Sequence, residues 1–191
     1  MINLQYIPTI SSFKMLINST HVSFDECVLY EKRNFLNRCP IAGANGVIKL
    51  TVPLVNGRSQ RKPLRDVLIM NEEKWQRRHW RSILSSYNSS PWFFHFTDRM
   101  SELYSRRFDF LIDWNLECLN WLYHSLRLQT NYSVVSGVTA HEAMQPPSKP
   151  TLYEPIVYRQ VYQEKTGFIP HLSIIDLLFC TGPSHTMLLC R

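Results

Sequence analysis

The stretch that decides the fold is RCPIAGANGVIKLTV, residues 38–52. Two runs rich in apolar and β-branched residues flank Asn45-Gly46, a pair that tolerates the positive φ angles of a type I′ turn. We therefore predict a β-hairpin around Asn45-Gly46, with one strand on each side. The sequence on both sides of the hairpin must supply the elements that cover it, because a lone hairpin is marginally stable in water.

On the N-terminal side, the pattern predicts a strand at residues 2–6, a short helix at residues 10–17 and a second strand at residues 27–30. A strand, a helix and a strand within about thirty residues satisfy the requirement for a parallel crossover. On the C-terminal side, Asn71 is a plausible N-cap for a helix at residues 72–87. Further predicted helices cover residues 92–104, 108–126 and 172–179, and further short strands cover residues 67–70, 132–135 and 156–162.

The predicted fold class is α/β: a single domain over residues 1–191, with a small mixed β-sheet, a β-hairpin and a cluster of α-helices. Four prolines lie in residues 140–155, which are predicted to form an extended arm within that domain.

The composition limits the class of protein and the kinds of partner that are plausible. The 191 residues are 45% hydrophobic and 19% charged, which is a globular composition, and the net charge of +6 favours an anionic partner. No apolar run is long enough to span a membrane, and no signal peptide is recognisable. The five cysteines form an odd set without a C-x-x-C pair, which suits reduced thiols in the cytoplasm.

The positive charge is concentrated in residues 58–81, where eight basic and three acidic residues carry five of the six net charges. Arg61, Arg65 and Arg78 in this segment are candidates for binding a phosphate or a carboxylate. The alternative is an ordinary solvated face. Nucleic acid is disfavoured as a partner, because the tryptophans have the helical spacing of a core rather than of a stacking surface.

No hydrolase elbow, P-loop, dinucleotide-binding or zincin motif is present, no cofactor is identified, and no metal-ligand spacing occurs. His79 lies on the aromatic stripe of the predicted helix 72–87, beside a basic run that favours the neutral imidazole, so it is a candidate general base. The alternative is a core histidine that bonds a backbone carbonyl. His141-Glu142 is a weaker candidate pair. Asn37-Arg38 and Tyr6 are candidate ligand contacts, with local turn bonding as the alternative.

The chain resembles the WbqC-like family of bacterial proteins, in order and at the family's spacing, from Met1 to about Gly182. The motifs that carry the resemblance are Tyr6-Ile7-Pro8 with Phe13, Tyr30-Glu31-Lys32, Asn37-Arg38-Cys39 with Ile41, Asn45-Gly46, Leu50-Thr51-Val52-Pro53, Trp75, His79-Trp80-Arg81-Ser82-Ile83, Tyr87-Asn88-Ser89-Ser90-Pro91 with Phe93, Asn115, and residues 172–179 with Gly182.

The family takes its name from surface-polysaccharide (O-antigen) gene clusters. The resemblance therefore implies work on activated or lipid-linked sugars, from which we infer acyl or aminoacyl transfer to an amino sugar. In this hypothesis His79 is the general base of a transferase, and Lys32, Asn37 and Arg38 position an anionic substrate, with Tyr6 and Trp75 as further substrate contacts. A non-catalytic binding or scaffold protein of polysaccharide biosynthesis is the alternative. Ser11, Ser12 and Leu36 depart from the family pattern, so a pocket at these positions would differ.

Overall fold

The computed structural model describes residues 3–31, 35–57, 60–129, 131–137 and 154–191. Within these ranges the chain has the predicted mixed α/β architecture, with small two-stranded sheets and a cluster of helices. The strands are β1 (Val22–Asp25), β2 (Arg38–Gly43), β3 (Gly46–Thr51) and β4 (Tyr132–Val135). The helices are α1 (Ile10–Ile17), α2 (Trp75–Tyr87), α3 (Thr97–Ser105), α4 (Leu111–Ser125), α5 (Gln163–Thr166), α6 (Ile174–Thr181) and α7 (Pro183–Cys190).

The predicted hairpin is formed by β2 and β3, which pair antiparallel from Arg38 opposite Thr51 to Gly43 opposite Gly46. The turn lies one residue earlier than predicted, because Gly43 and Gly46 already face each other. Gly46 has a φ of 112°, whereas Asn45 is not among the residues with positive φ. The predicted type I′ turn is therefore wrong, and glycine alone takes the left-handed conformation.

The predicted parallel crossover within residues 2–30 is wrong. The parallel pair joins β1 to β4, with Val22 opposite Tyr132 and Asp25 opposite Val135. Apart from β1, the described part of residues 2–30 has only two isolated bridges, Thr9 to Ser173 and Leu29 to Pro63. Pairing between distant segments therefore replaces the local unit, although α1 and β4 form where predicted.

Helix α2 begins at Trp75, three residues later than predicted, and Asn71 does not cap it. The Asn71 side chain instead donates a hydrogen bond of 2.9 Å to the carbonyl of Phe108 and so ties the preceding loop to the start of α4. Lys74 occupies the N-cap position without a side-chain cap. The predicted stripe of α2 is confirmed, because its buried residues include Trp75, His79, Ile83 and Tyr87.

Helix α6 is the most deeply buried element, with no exposed surface from Ile174 to Phe179. It contacts α1, α7 and β2, so it joins the hairpin to the helical cluster. The expected strands at residues 67–70 and 156–162 are not formed: the first has only the isolated bridges of Leu68 and Ile69, and the second ends in the turn that leads into α5. Helix α7 follows Gly182, although no helix was predicted there.

The expected arm at residues 140–155 lies outside the described residues except for its last two positions. All five cysteines are free thiols. Among the described helices, none combines the length and apolar character needed to cross a bilayer.

Candidate functional site

The centre of the candidate site is a chain of hydrogen bonds inside the apolar core, which we call the Tyr6 cluster: Tyr6, His79 and Tyr104. The hydroxyl of Tyr6 lies 3.1 Å from Nδ1 of His79 and 2.6 Å from the hydroxyl of Tyr104. Trp75 and Trp114 surround the cluster, with ring centroids 5.2 Å from His79 and 5.4 Å from Tyr6, respectively. The cluster therefore joins the N-terminal segment to α2 and α3.

The direction of the hydrogen bonds depends on the tautomer of His79. The Thr51 backbone interacts with the imidazole and raises its pKa, which is the effect of a carbonyl acceptor. In the tautomer with a proton on Nε2, Nε2 is the donor toward this carbonyl and Nδ1 is the acceptor. In that tautomer the hydroxyl of Tyr6 donates to His79, and the hydroxyl of Tyr104 donates to Tyr6.

Burial sets the charge state of the cluster. His79 is 6% exposed. The pKa of His79 is lowered from 6.5 to about 4: loss of hydration is the largest cause and the charge of Arg78 acts in the same direction, while the interaction with the Thr51 backbone opposes both. Burial also raises the pKa values of Tyr6 and Tyr104 well above their usual range. The imidazole and both phenols are therefore neutral at physiological pH.

The open end of the hairpin lies next to this cluster. Arg38 begins β2 opposite Thr51, the residue whose carbonyl binds His79. The Asn37 side chain donates to the carbonyl of Val52 over 2.9 Å and accepts from Tyr30 over 2.9 Å. Arg38 is half-buried and forms no ion pair with any described residue. Its guanidinium is thus a cation without an acidic partner among the described residues, on the residue that pairs with Thr51.

The structure brings five of the predicted site residues together and separates the others. Tyr6, Asn37, Arg38, Trp75 and His79 all lie at the hairpin end or in the Tyr6 cluster, as described above. The basic segment does not converge on that place as one patch: Arg65 pairs with Glu26 and Asp66, Arg78 pairs with Glu73, and Arg61 is exposed. Lys32 and the pair His141-Glu142 lie outside the described residues.

The three departures from the family pattern have local roles. Ser12 lies in the first turn of α1, where its backbone donates to the Thr9 hydroxyl over 3.3 Å. Ser11 is half-buried on the same helix. Leu36 is 1% exposed, and its carbonyl accepts a hydrogen bond of 2.8 Å from Asn115. None of the three contacts His79 through a hydrogen bond or an aromatic ring.

Two features of the interior were not singled out as site residues from sequence. Tyr104 completes the Tyr6 cluster, but its spacing marks it only as one more apolar position of a helix. Asp176 has no exposed surface, and its carboxylate accepts hydrogen bonds from Tyr87 at 2.7 Å and from Tyr158 at 2.6 Å. An aspartate inside an otherwise apolar helical run was the available signal. Within the described ranges, no group of three His, Cys, Asp or Glu side chains could hold a metal ion.

Comparison with known proteins gives a family rather than an activity. The chain is 26% identical to the uncharacterized protein Rv1507c of Mycobacterium tuberculosis, over 93% of this chain and 90% of that relative. No solved structure matches the chain. The model of the WbqC-like protein family matches residues 5–146, which include the hairpin, α2 and the whole Tyr6 cluster. The chain therefore belongs to the WbqC-like protein family.

Proposed function

We propose that this protein is a cytoplasmic enzyme of bacterial surface-polysaccharide biosynthesis that modifies an activated sugar. The substrate is an anionic small molecule, a nucleotide-linked amino sugar, and the reaction is acyl or aminoacyl transfer to its amino group. Membership of the WbqC-like family supports the setting, and the positive net charge supports an anionic substrate.

The observation that carries the proposal is the meeting of Arg38 and His79 at Thr51. Arg38 pairs with Thr51 across the hairpin, and the Thr51 backbone also interacts with the imidazole of His79. Arg38 has no carboxylate partner in the part of the chain that the structure describes, and such a guanidinium offers two parallel donors to a phosphate, which an ammonium group cannot do. A chain of polar side chains in an apolar core has a desolvation cost that simple packing would avoid. The arrangement therefore suits a site in which Arg38 is held in position before an anion binds.

The buried surroundings of His79 add a second line of support. The indole N–H groups of Trp75 and Trp114 are buried without a hydrogen-bond partner among the described residues. Most buried donors in native proteins have a partner, so unmet donors at one place call for an explanation. A polar ligand or ordered water beside the Tyr6 cluster would satisfy them.

The chemistry of the proposed transfer needs no cofactor in the step itself. The amino nitrogen of the sugar attacks the carbonyl carbon of the acyl donor, an amide C–N bond forms, and the bond to the donor's leaving group breaks. The amine proton passes to the oxygen or sulfur of that leaving group. Arg38 and Asn37 would hold the sugar phosphate and so orient the amine.

The role of His79 in this proposal is to position rather than to take up a proton. A general base works best when its pKa is near the working pH. His79 has a pKa of about 4, and both ring nitrogens are occupied, so it is a weak base in this state. It would instead fix Thr51, and through Thr51 the end of the hairpin that carries Arg38.

The proposal is tested by incubating the purified protein with a nucleotide-linked amino sugar and a panel of acyl-coenzyme A and aminoacyl donors. Mass spectrometry should detect the amide product with at least one donor. Arg38→Gln should form it at least about tenfold more slowly, whereas Arg159→Gln, which changes an exposed arginine on another segment, should match the wild type. If no donor gives a product, the enzymatic proposal fails.

The same geometry supports a second candidate, a non-catalytic ligand-binding or scaffold protein. The specific observation is that Tyr6, His79 and Tyr104 are all buried, with exposed fractions of 0%, 6% and 5%. A binding protein would retain the sugar nucleotide in the assay above without turning it over. Binding that depends on Arg38, together with the absence of product, would therefore favour this candidate.

A further inference from the structure

A second polar depression lies on another surface of the molecule, between α3, the end of α4 and the start of α7. We call it the cationic groove. It has a volume of about 710 Å³. Arg99, Arg127, His95 and His124 line it together with Trp92, and no aspartate or glutamate does. None of the residues of the Tyr6 cluster or the hairpin contributes to it, so it is a separate feature.

The two arginines of the groove are not neutralised by neighbours. Every ion pair that the described residues form involves other arginines, and Arg99 and Arg127 take part in none. Glu102 faces the adjacent depression, which it shares with Arg99, and Glu117 there pairs with Arg106. The groove therefore presents two guanidinium groups that have no carboxylate partner among the described residues, one from α3 and one from the turn after α4.

Arg127 is held in an unusual backbone conformation. Its φ is 53°, in the left-handed region that favours glycine, directly after α4. The backbone N–H groups of Arg127 and Leu128 close the helix by bonding the carbonyls of His124 at 3.2 Å and Tyr123 at 2.9 Å. Glycine is the usual residue at this position of a helix end. An arginine there brings a guanidinium to the groove at the expense of backbone strain.

Trp92, the tryptophan that lines the groove, is held in place by contacts with neighbouring residues. The indole of Trp92 is 39% exposed and lies against Gly182, where an added Cβ would come within 2.4 Å of the ring. The backbone of Trp92 donates to the carbonyl of Phe179 over 3.1 Å, and its ring contacts His95 with centroids 5.3 Å apart. Trp92 therefore offers a partly exposed π face in a fixed place.

From these observations we propose that the cationic groove is a binding site for a nucleoside diphosphate. Two guanidinium groups from separate segments match two phosphate groups, and the imidazoles of His95 and His124 can add hydrogen bonds. The indole of Trp92 provides a stacking surface for a base. The groove volume lies within the range of small-molecule sites. The proposal is independent of the sugar-modifying function.

The test is isothermal titration calorimetry of the full chain with uridine 5′-diphosphate, inorganic pyrophosphate and uridine, at low ionic strength. The variants are Arg99→Gln and Arg127→Gly, with Arg159→Gln as the matched control because Arg159 is exposed and lies outside the groove. Arg127→Gly suits the left-handed φ, so its melting temperature should equal or exceed that of the wild type. A loss of binding in this variant then cannot come from unfolding.

We expect the diphosphate to bind the wild type more tightly than pyrophosphate or uridine. Each groove variant should weaken it at least about tenfold, and the control should change it less than about twofold. The proposal is overturned if the diphosphate does not bind, or if it binds both groove variants like the wild type. Equal affinity for pyrophosphate and the diphosphate would remove the nucleoside from the proposal. Tighter binding of a single-stranded oligonucleotide would replace it with a nucleic-acid site.

Discussion

The hydroxyl of Tyr6 lies 3.1 Å from Nδ1 of His79, although 73 residues separate them along the chain. This contact holds the N-terminal segment against α2. Through the bond from His79 to the Thr51 backbone, it also fixes the end of the hairpin. The consequences extend to stability, pH dependence and ligand binding.

We predict that His79 makes the fold sensitive to acid. Its folded-state pKa of about 4 lies below the 6.5 of the unfolded chain, so the unfolded state binds more protons between these values. The stability that His79 contributes is complete above pH 6.5 and is lost as the pH falls toward 4, a loss of about 3 kcal/mol. Urea unfolding at a series of pH values should show it. In the His79→Gln variant the free energy of unfolding should change less between pH 6.5 and pH 4. The His21→Gln variant, changed at an exposed histidine, should keep the pH dependence of the wild type.

Removal of the two phenolic hydroxyls should have unequal effects. Tyr6→Phe leaves Nδ1 of His79 without a donor and also removes the acceptor of Tyr104, so it should destabilise the fold by about 2 to 3 kcal/mol. Tyr104→Phe removes only the terminal donor and should cost about 1 kcal/mol. Equal losses of unfolding free energy in the two variants would show that the proposed direction of the hydrogen bonds is wrong.

The buried carboxylate of Asp176 should tolerate an amide far better than an alkyl group. Asp176→Leu leaves the hydroxyls of Tyr87 and Tyr158 without their acceptor and should destabilise the fold by about 3 to 5 kcal/mol. Asp176→Asn keeps one carbonyl acceptor and should cost about 1 to 2 kcal/mol. Chemical unfolding of both variants checks the ranking, and a leucine variant as stable as the asparagine variant would contradict it.

Desolvation raises the pKa of Asp176, while the hydrogen bonds from Tyr158, Tyr87 and Gln160 act against the rise. The contribution of this group to stability is therefore largest below its unfolded pKa of 3.8 and falls as the pH rises through its folded pKa. That trend is opposite to the trend of His79. Difference profiles of the Asp176→Asn and His79→Gln variants against the wild type should consequently have slopes of opposite sign.

Two glycines with similar backbone angles should respond differently to alanine. Gly182 and Gly137 have φ values of 81° and 73°, but an added Cβ meets Trp92 only at Gly182 and open space at Gly137. Gly137→Ala should therefore lower the free energy of unfolding by about 1 kcal/mol, because only the positive φ is unfavourable for alanine there. Gly182→Ala should cost about 2 to 4 kcal/mol, since the indole must also move. Thermal melting measures the difference, and similar melting temperatures would mean that Trp92 gives way freely.

Local patterns in the sequence predicted the elements that depend on near neighbours. The hairpin, α1, the buried stripe of α2 and the apolar run of α6 all follow from spacing or turn residues. The strand β1 does not, and neither does its pairing with β4, because their register joins Val22 to Tyr132 across most of the chain. The prediction of Asn71 as an N-cap was wrong for the same reason, because its side chain bonds the carbonyl of Phe108, a partner that no local pattern reveals.

The sequence predicted which residues belong to the candidate site better than it predicted how they are arranged. His79, Asn37 and Arg38 were selected from sequence, and the structure places them around the end of the hairpin. The number of charged residues in each segment was less informative, because an arginine that already pairs with a carboxylate is not available to bind an anion. Arg65 and Arg78 have carboxylate partners, while Arg99 and Arg127, in a part of the sequence that is nearly neutral overall, have none.

The central claim is that Arg38 and His79, joined through Thr51, form the site of an anionic activated sugar. Its most direct test is the affinity of a nucleotide-linked amino sugar, measured by calorimetry in protein that also carries Arg99→Gln and Arg127→Gly, so that the cationic groove cannot contribute. In this background, Arg38→Gln should weaken binding at least about tenfold and His79→Gln should weaken it several-fold, whereas Arg159→Gln should have no effect. Unchanged affinity in the Arg38→Gln protein would contradict the claim.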